Sequence, residues 1–288
     1  MSLSLCKLMI NKNLKRKIFD RAASTYDAHA VLQNQIIDNL FERLDLIKIK
    51  PSFALELGCG TGRTTPLLQK KFNNLNLFNY DISEGMLEFA KSKNSLGLFS
   101  LISSKKNYYI CGDIDYLPFK EEVFDLIWSS STLQWSNNFD KSLSQVLNLL
   151  KPGGLFIFST YGPNTLMELG SITEEIFQHS TLNYFYDVHD IGDLLINLGF
   201  KDPVLDVENF TLTYEDPKNL LIDLKKIGAT SGPEIKDSIF LGKSFIQQYK
   251  EGYEKFKENN LYPATYEVIY GHAWKSIMTE GQHPIKFK

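Results

Sequence analysis

Short apolar runs alternate with amphipathic stretches through the middle of the chain. The apolar runs predict strands over residues 53–57, 76–80, 108–111, 124–128 and 155–159. Helical spacing between them predicts helices over residues 64–72, 83–93 and 139–150. Strands that alternate with helices are typical of βαβ units, so this part of the chain predicts a parallel sheet covered by helices.

The flanks of this core differ in pattern. Apolar residues recur at helical spacing from 30 to 46, and Pro51 then breaks the chain. After Tyr161 the pattern predicts helices over 188–198, 217–227 and 244–259 and strands over 204–213 and 266–270. With these two strands added, we expect a doubly wound, Rossmann-like α/β fold with seven strands in a mostly parallel sheet.

The same pattern suggests three segments. We expect residues 1–50 to form a helical N-terminal lid, 51–275 the α/β domain and 276–288 a tail without a clear pattern. The helices between about 215 and 262 interrupt the strand rhythm, so they are expected to cap the carboxyl edge of the sheet.

Composition narrows the class of protein. The chain has 288 residues, 43% of them hydrophobic, and a formal net charge of -3, which gives no electrostatic case for binding nucleic acid or membranes. Cys6, Cys59 and Cys111 lie far apart, so we expect neither a disulfide framework nor a zinc site, and the histidines have no metal-ligand spacing. No run of 18 apolar residues occurs. A cytoplasmic protein is the expectation.

A glycine turn follows the first predicted strand, where sheets of this kind bind ligands. The run from Glu56 to Gly62 reads ELGCGTG. A phosphate-binding P-loop would end in Gly-Lys-Ser or Gly-Lys-Thr, and a dinucleotide fingerprint would need its third glycine where Arg63 stands. An acid followed by G-x-G-x-G instead favours S-adenosylmethionine. Glu56 can pair with the ammonium of the methionine part, and the glycines, which have no side chain, let the cofactor come close to the protein backbone.

Acidic residues follow the next two strands at the same edge. Asp81 can accept hydrogen bonds from both ribose hydroxyls, and Asp113 can accept one from the adenine amino group, with Ile114 against the ring. Each alone could instead be a helix cap or a turn former. The predicted cofactor-binding residues are Tyr26, Glu56, Gly58, Gly60, Thr61, Gly62, Asp81, Ile82, Met86, Gly112, Asp113, Ile114 and Ser129.

From 53 to 160 the chain resembles a class I methyltransferase, and further runs narrow the resemblance. Residues 19–30 read FDRAASTYDAHA and are followed by Leu32 and Gln33. These, together with the runs at 133–135, 159–160, 165–169, 224–230 and 262–266, resemble the malonyl-acyl-carrier-protein O-methyltransferases of biotin synthesis. The resemblance covers about residues 16–275, and its N-terminal run and Ile-Gly-Ala-Thr run are the more specific parts.

The resemblance implies that the chain methylates the free carboxyl of a malonyl thioester on acyl carrier protein, with S-adenosylmethionine as donor. A carboxyl is already ionised at neutral pH, so no general base and no catalytic side chain is expected. The residues at 26, 29 and 33 share one helix face and are expected to cover the cofactor. The predicted substrate-binding residues are Arg21, His29, Gln33, Gln134, Trp135 and Lys225.

The stretch 92–107 is longer than this family usually has between the helix and the third strand, so it is expected to extend a surface loop. The basic residues near the N-terminus and the choice of acceptor each allow a second interpretation. The carrier protein is acidic in this family, and the resemblance lets the basic residues Lys12, Lys15, Arg16 and Lys17 help it dock, although they could equally be a solvated helix face. Another small-molecule carboxyl methyltransferase, such as an aconitate-type enzyme, would share the core. A methyltransferase-like hydroxylase that assists assembly of respiratory complex I, or a cofactor-binding regulator without catalysis, would share parts of it.

Overall fold

The computed structural model describes residues 9–94, 106–179, 181–230 and 243–277. Strands β1 to β7 are Phe53–Leu57, Asn76–Asp81, Lys106–Cys111, Phe124–Ser130, Leu150–Tyr161, Phe200–Tyr214 and Tyr262–Lys275. Helices α1 to α9 of the described part are Lys12–His29, Val31–Asp45, Thr64–Lys71, Glu84–Asn94, Phe139–Leu149, Met167–Phe177, Val188–Leu198, Lys218–Lys226 and Lys243–Tyr253. Short 3-10 turns occupy Leu133–Trp135 and Glu254–Phe256.

One seven-stranded sheet organises the fold. Its strand order is β3-β2-β1-β4-β5-β7-β6. The first five strands are parallel, whereas β7 runs antiparallel between β5 and β6. This confirms the predicted Rossmann-like, mostly parallel sheet of seven strands. Because chain order reverses between β1 and β4, the carboxyl ends of these strands border a crevice.

Apolar side chains fill both faces of the sheet. On one face Leu126, Trp128 and Ile157 belong to a cluster that continues into α2, α6, α8 and α9. On the other face Ile127 and Phe156 pack with residues of α5 and α7. Side chains alternate between the two faces of a strand, and both faces of these central strands are buried, which explains why the strands read as continuous apolar runs.

Several boundaries differ from the pattern-based expectation. Helix α1 is longer than any apolar periodicity suggested; Asn11 caps it by accepting a hydrogen bond from the Leu14 N–H at 3.0 Å. Helix α6 had no strong signal in the sequence. The predicted helix over 244–259 ends early, at Tyr253, and a 3-10 turn over Glu254–Phe256 follows it. Asn259 and Asn260 then take left-handed backbone conformations, which no helix continues through. Most of the predicted loop 92–107 and of the tail 276–288 lies outside the described residues.

Helices α8 and α9 follow β6 and precede β7, within the predicted insertion. Helix α1 packs against α4 of the sheet layer and against α8 of that insertion. The N-terminal helix therefore bridges the two parts that border the crevice.

Candidate active site

A cavity opens at the carboxyl ends of β1 to β5. Gly58 and Gly60 line it after β1, Asp81 and Ile82 after β2, and Asp113 after β3. Residues 130–132 line it after β4. Helix α1 closes it on one side through Phe19 and Tyr26. The parallel strands thus bring together, at one edge, the residues that the sequence placed at successive strand ends.

The glycine loop is shaped by close contacts. A Cβ at Gly58 would lie 1.9 Å from the Thr132 hydroxyl oxygen, and one at Gly62 would lie 2.8 Å from the Cβ of Ala90. At Gly60, by contrast, a Cβ would meet no heavy atom within 4 Å. Gly58 and Gly62 are therefore needed for packing, and of the three only Gly60 leaves open space on the cavity side. Gly62 and Thr61 do not line the cavity.

Glu56 lies behind the glycine loop. Its side chain is 3% exposed, and its Oε2 has no hydrogen-bond partner. Burial raises the pKa of this carboxyl to about 8, although the Thr64 hydroxyl opposes the shift. A buried acid with an unsatisfied oxygen fits a cationic ligand group, because an ammonium would supply both the missing donor and the missing counter-charge.

Asp81 is held by backbone donors at the end of β2. Its Oδ2 accepts a hydrogen bond from the Gly60 N–H and its Oδ1 one from the Ser83 N–H, each at 2.9 Å. Burial raises the pKa of this carboxyl to about 6, and the backbone donors limit the rise. Each oxygen keeps a further lone pair, so the carboxylate is oriented and still able to accept from two hydroxyls.

Asp113 lines the cavity together with Gly112 and Ile114. Its Oδ1 accepts hydrogen bonds from the Lys12 ammonium at 2.6 Å and the Asp115 N–H at 3.0 Å. Lys12 also contacts the other acid of this turn, Asp115, at 2.8 Å. Helix α1 therefore places a cation against the acid that was predicted to accept from adenine.

Two acids of α1 fasten this helix to the cofactor side of the crevice. Asp20 Oδ1 accepts from the Ser83 hydroxyl at 2.6 Å and from the Gly85 N–H at 3.0 Å. Asp27 accepts from the Thr61 hydroxyl and, at 2.7 Å, from the Lys93 ammonium. Both acids stand in the run 19–33, but only their partners, which are distant in sequence, show what they do.

The remaining predicted cofactor residues differ in position. Tyr26 and Met86 line the cavity. Burial raises the pKa of the Tyr26 phenol, with Tyr161 and Asp81 adding to the shift. Ser129 is fully buried and does not line the cavity, whereas the three residues that follow it, 130–132, do.

The predicted substrate residues fall into two groups. Gln33, Gln134 and Trp135 line the cavity. The other three, Arg21, His29 and Lys225, do not. Arg21 and Lys225 have exposed side chains, and His29 Nδ1 lies 2.9 Å from Asp223 Oδ1 outside this cavity. The geometry therefore leaves the second group away from the crevice, because helix spacing alone does not reveal which face a tertiary contact covers.

The predicted basic docking segment is largely engaged inside the molecule. Lys15 is 4% exposed; its ammonium donates to the carbonyls of Gly228 at 2.8 Å and Thr230 at 3.1 Å. Arg16 pairs with Glu84 at 2.5 Å. With Lys12 already paired, only Lys17 of the four remains exposed without a described ion pair. Lys15 therefore lies neither on a docking surface nor on a solvated helix face, because it is buried in the cavity wall.

The half of the cavity away from the acids is aromatic and apolar. Tyr161, Phe185 and Tyr266 line it, as does Leu169. The Lys15 ammonium lies 3.4 Å from the ring centroid of Trp135. Burial lowers the pKa of this ammonium well below its usual range. Sequence reasoning missed most of these residues, since an aromatic side chain in an apolar run reads as ordinary core.

None of the helices described is long and apolar enough to cross a membrane. Within the described ranges of the chain, no cluster of three or more histidine, cysteine or acidic side chains is arranged to hold a metal ion.

The comparisons with known proteins agree with this geometry. A family profile described as "Methyltransferase domain" matches residues 55–158. A putative methyltransferase from Bacillus halodurans has a TM-score of 0.56 at 18% identity, over 83% of this chain and 98% of that one. Phosphoethanolamine N-methyltransferase 2 of Haemonchus contortus, solved with S-adenosylhomocysteine, also has a TM-score of 0.56, at 20% identity over 91% of this chain and 60% of that one.

The fold and the matching family profile therefore make the chain a class I methyltransferase. Much closer relatives specify the family. A malonyl-[acyl-carrier protein] O-methyltransferase of a Methylovorus species is 42% identical over 97% of this chain and 96% of that protein. The one of Gallionella capsiferriformans is 40% identical over 93% and 92%. The chain belongs to the malonyl-[acyl-carrier protein] O-methyltransferase family.

Proposed function

We propose that this chain transfers the methyl group of S-adenosylmethionine to the free carboxyl of a malonyl thioester on acyl carrier protein. One observation carries the proposal: a single cavity joins two strand-end acids, Asp81 and Asp113, to an aromatic half under the N-terminal helix. A third strand-end acid, Glu56, is buried behind the glycine loop of this cavity and does not line it. The cavity occurs in a chain that matches this family over nearly its whole length. The rival carboxyl methyltransferase and hydroxylase are not favoured by these relatives.

The acids would hold the donor in a fixed order along the sheet edge. Glu56 would pair with the ammonium of the methionine part, and Asp81 would accept from the ribose hydroxyls. Asp113 would accept from the adenine amino group through the oxygen that Lys12 does not contact, while Ile114 and Met86 flank the ring. When bound, the donor supplies an electrophilic methyl on a sulfonium, and this order points the methyl toward residues 130–132 at the end of β4.

The aromatic half suits a carboxylate acceptor. A carboxylate oxygen that attacks the methyl in line forms a C–O bond as the S–C bond breaks, and the electron pair of that bond remains on sulfur. The nucleophile is ionised at neutral pH, so the protein need only orient it and strip part of its water. Trp135, Tyr161 and Tyr266 provide such a wall, and Lys15 adds a buried amine whose charged form a carboxylate would stabilise.

The ester product has lost the charge that the substrate carried. A neutral ester interacts less with a buried ammonium than a carboxylate does, which favours release after a single methylation. The family to which the chain belongs then places the product at the start of pimelate and biotin synthesis. We place the reaction in the cytoplasm, with an acidic carrier protein as partner. The free thiols of Cys59 and Cys111 support a reducing compartment.

Mass spectrometry of the carrier protein tests the proposal. Malonyl carrier protein incubated with the chain and methyl-labelled S-adenosylmethionine is expected to gain the mass of one labelled methyl, and acetyl carrier protein, which has no free carboxyl, to gain none. Free dicarboxylic acids serve as competing acceptors. If only the free acids are methylated, the chain is a small-molecule carboxyl methyltransferase and the proposal is wrong.

A further inference from the structure

A second cavity lies next to the reaction cavity. Thr211, Leu212, Thr213 and Tyr214 of β6 line one side of it. On the opposite side it has four residues in common with the reaction cavity, namely Gln33, Leu224, Ile227 and Tyr266. One layer of side chains therefore separates the two. Val31, which is 66% exposed, also lines the second cavity and marks where it opens to solvent.

This cavity follows the edge of β6. Successive side chains of a strand point to opposite faces, so four consecutive residues line one cavity only when it runs along the strand's edge. Strand β6 is the last strand of the sheet, and among the residues that the structure describes it pairs with β7 alone. Its other edge faces the cavity with backbone groups that the sheet leaves unpaired.

The register with β7 shows which groups of Thr211 face outward. Thr211 lies opposite Thr265. The Thr265 carbonyl accepts from the Leu166 N–H at 2.6 Å, and the Thr265 N–H donates to Glu168 at 3.1 Å, so both point away from β6. Residues opposite each other in antiparallel strands alternate between hydrogen-bonded and non-hydrogen-bonded pairs. Thr211 and Thr265 therefore form a non-hydrogen-bonded pair. The N–H and C=O of Thr211 point away from β7, to the free edge of β6.

Thr213 occupies the next position of the same kind. It lies opposite Pro263, which has no N–H and whose carbonyl accepts from the Tyr253 hydroxyl at 2.9 Å. A proline fits here because its missing N–H would not have faced β6. The N–H and C=O of Thr213 thus also point into the cavity, two residues along from those of Thr211.

We propose that this edge binds the pantetheine arm of the carrier-bound substrate. The inference rests on the proposed function, because a carrier-bound malonyl group reaches the enzyme on a long arm that contains two amide groups. An extended amide chain can add to a strand edge as a further strand does, with main-chain hydrogen bonds supplying the affinity. The backbone groups of Thr211 and Thr213 bind these amides, and the thioester passes beside Gln33 into the reaction cavity.

The far end of the arm carries a phosphate, and an acid paired with a histidine and a neighbouring lysine lie where it would emerge. His29 and Asp223 form a pair there at 2.9 Å, and both line the cavity. Lys226 follows Asp223 by three residues on α8, so it shares that helix face, and its side chain is exposed. A cation beside the mouth attracts a phosphodiester as the arm enters.

A pair of proline substitutions tests the proposal. Thr213→Pro removes the outward N–H while leaving the β6–β7 bonds in place. Asn209→Pro is the matched control: Asn209 lies opposite Glu267, whose carbonyl accepts from the Gly162 N–H at 2.8 Å, so it is also an outward position, but it does not line the cavity. Circular dichroism and S-adenosylmethionine affinity verify that both variants fold.

The readout is kcat/KM with two substrates, malonyl carrier protein and malonyl-N-acetylcysteamine, which lacks the outer part of the arm. For T213P we expect a loss of about tenfold on the carrier substrate and less than about threefold on the short thioester. N209P should keep its kcat/KM on both substrates. Equal losses on both substrates, or none on either, overturn the inference. If the wild-type chain fails to methylate malonyl carrier protein at all, the proposed function is what has failed.

Discussion

The Ser83 hydroxyl donates a hydrogen bond of 2.6 Å to Asp20, which joins the start of α4 to the middle of α1. The same carboxylate oxygen accepts from the Gly85 N–H at 3.0 Å. Residues 81–86 carry much of the predicted donor site, so this junction ties the covering helix to the cofactor side. The fixed position of α1 therefore depends on a carboxylate that does not itself line the cavity.

Asp20→Ala is expected to loosen this junction and weaken S-adenosylmethionine binding. Two donors lose their acceptor, and we expect an affinity loss of about tenfold by isothermal titration calorimetry. Asp20→Asn keeps an oxygen that can accept both bonds and should retain most of the affinity. Asp45→Ala, which removes an exposed ion pair with Lys71, is the control. Equal losses for the alanine and asparagine variants would contradict the hydrogen-bond explanation.

Donor binding is expected to depend on pH through Glu56. Its pKa is about 8 without ligand, so only about one tenth of the molecules carry the charge at pH 7 that would pair with an ammonium. The affinity for S-adenosylmethionine should rise about tenfold from pH 6 to 7 and level off above about pH 8. Equilibrium dialysis at a series of pH values from 6 to 9 measures this affinity. Glu56→Gln should bind weakly and show no rise in affinity between pH 7 and 8.

The same carboxyl makes the unliganded protein less stable as pH rises. Burial raises the pKa of Glu56 from 4.5 to about 8, so between these values the folded state keeps a proton that the unfolded chain has released. The free energy of unfolding must therefore fall with increasing pH across that window. Thermal melts from pH 5 to 8 should show a falling midpoint, and Glu56→Gln should show a flatter curve. A wild-type midpoint that rises with pH would contradict the assignment.

The strand-end acids could be predicted because a parallel sheet converts chain order into spatial order. Glu56, Asp81 and Asp113 each follow an apolar run, and their shared edge follows from the alternation of strands and helices. The cofactor half of the site therefore follows from local patterns. The order of the last two strands does not, since β7 inserts between β5 and β6 only through long-range pairing.

The acceptor half could not be predicted in the same way. Lys15 stands among basic residues, a context that favours a solvated helix face, yet its ammonium reaches carbonyls more than 200 positions away. Its burial depends on how α1 meets the end of α8, which no short pattern encodes. Arg21 shows the converse error, since the run 19–33 singled it out but its side chain is exposed.

Two alanine substitutions should distinguish a glycine that is needed for packing of the loop from one that lies beside the space for the cofactor. Gly58→Ala places a Cβ 1.9 Å from Thr132 at a φ of +73°, so we expect a large fall in stability, about 2–4 kcal/mol. At Gly60 the added Cβ would meet no heavy atom within 4 Å. Gly60→Ala should therefore lower the stability only by the strain of an alanine at a φ of +51°, about 1 kcal/mol. Its Cβ lies at the cavity, however, so donor affinity should fall. Denaturant melts and calorimetry distinguish the two; a Gly60→Ala variant with unchanged affinity would contradict the placement of the loop.

Lys15 is an amine buried in the cavity wall, and its described partners are two carbonyls and two aromatic rings. A buried charge is costly without an opposite charge, and a substrate carboxylate would provide one. Lys15→Met keeps the length of the side chain and removes the ammonium. We expect KM for malonyl carrier protein to rise about tenfold, with S-adenosylmethionine affinity changed by less than about twofold.

The exposed neighbour on the same helix gives the matched control for this substitution. Lys17→Met removes an equal charge two residues away, outside the cavity wall, so its KM should stay at the wild-type value. Steady-state kinetics with carrier concentration varied at saturating donor measures both variants. If Lys15→Met and Lys17→Met raise KM equally, the effect belongs to the charge of the helix surface, and the buried ammonium has no part in holding the carboxylate.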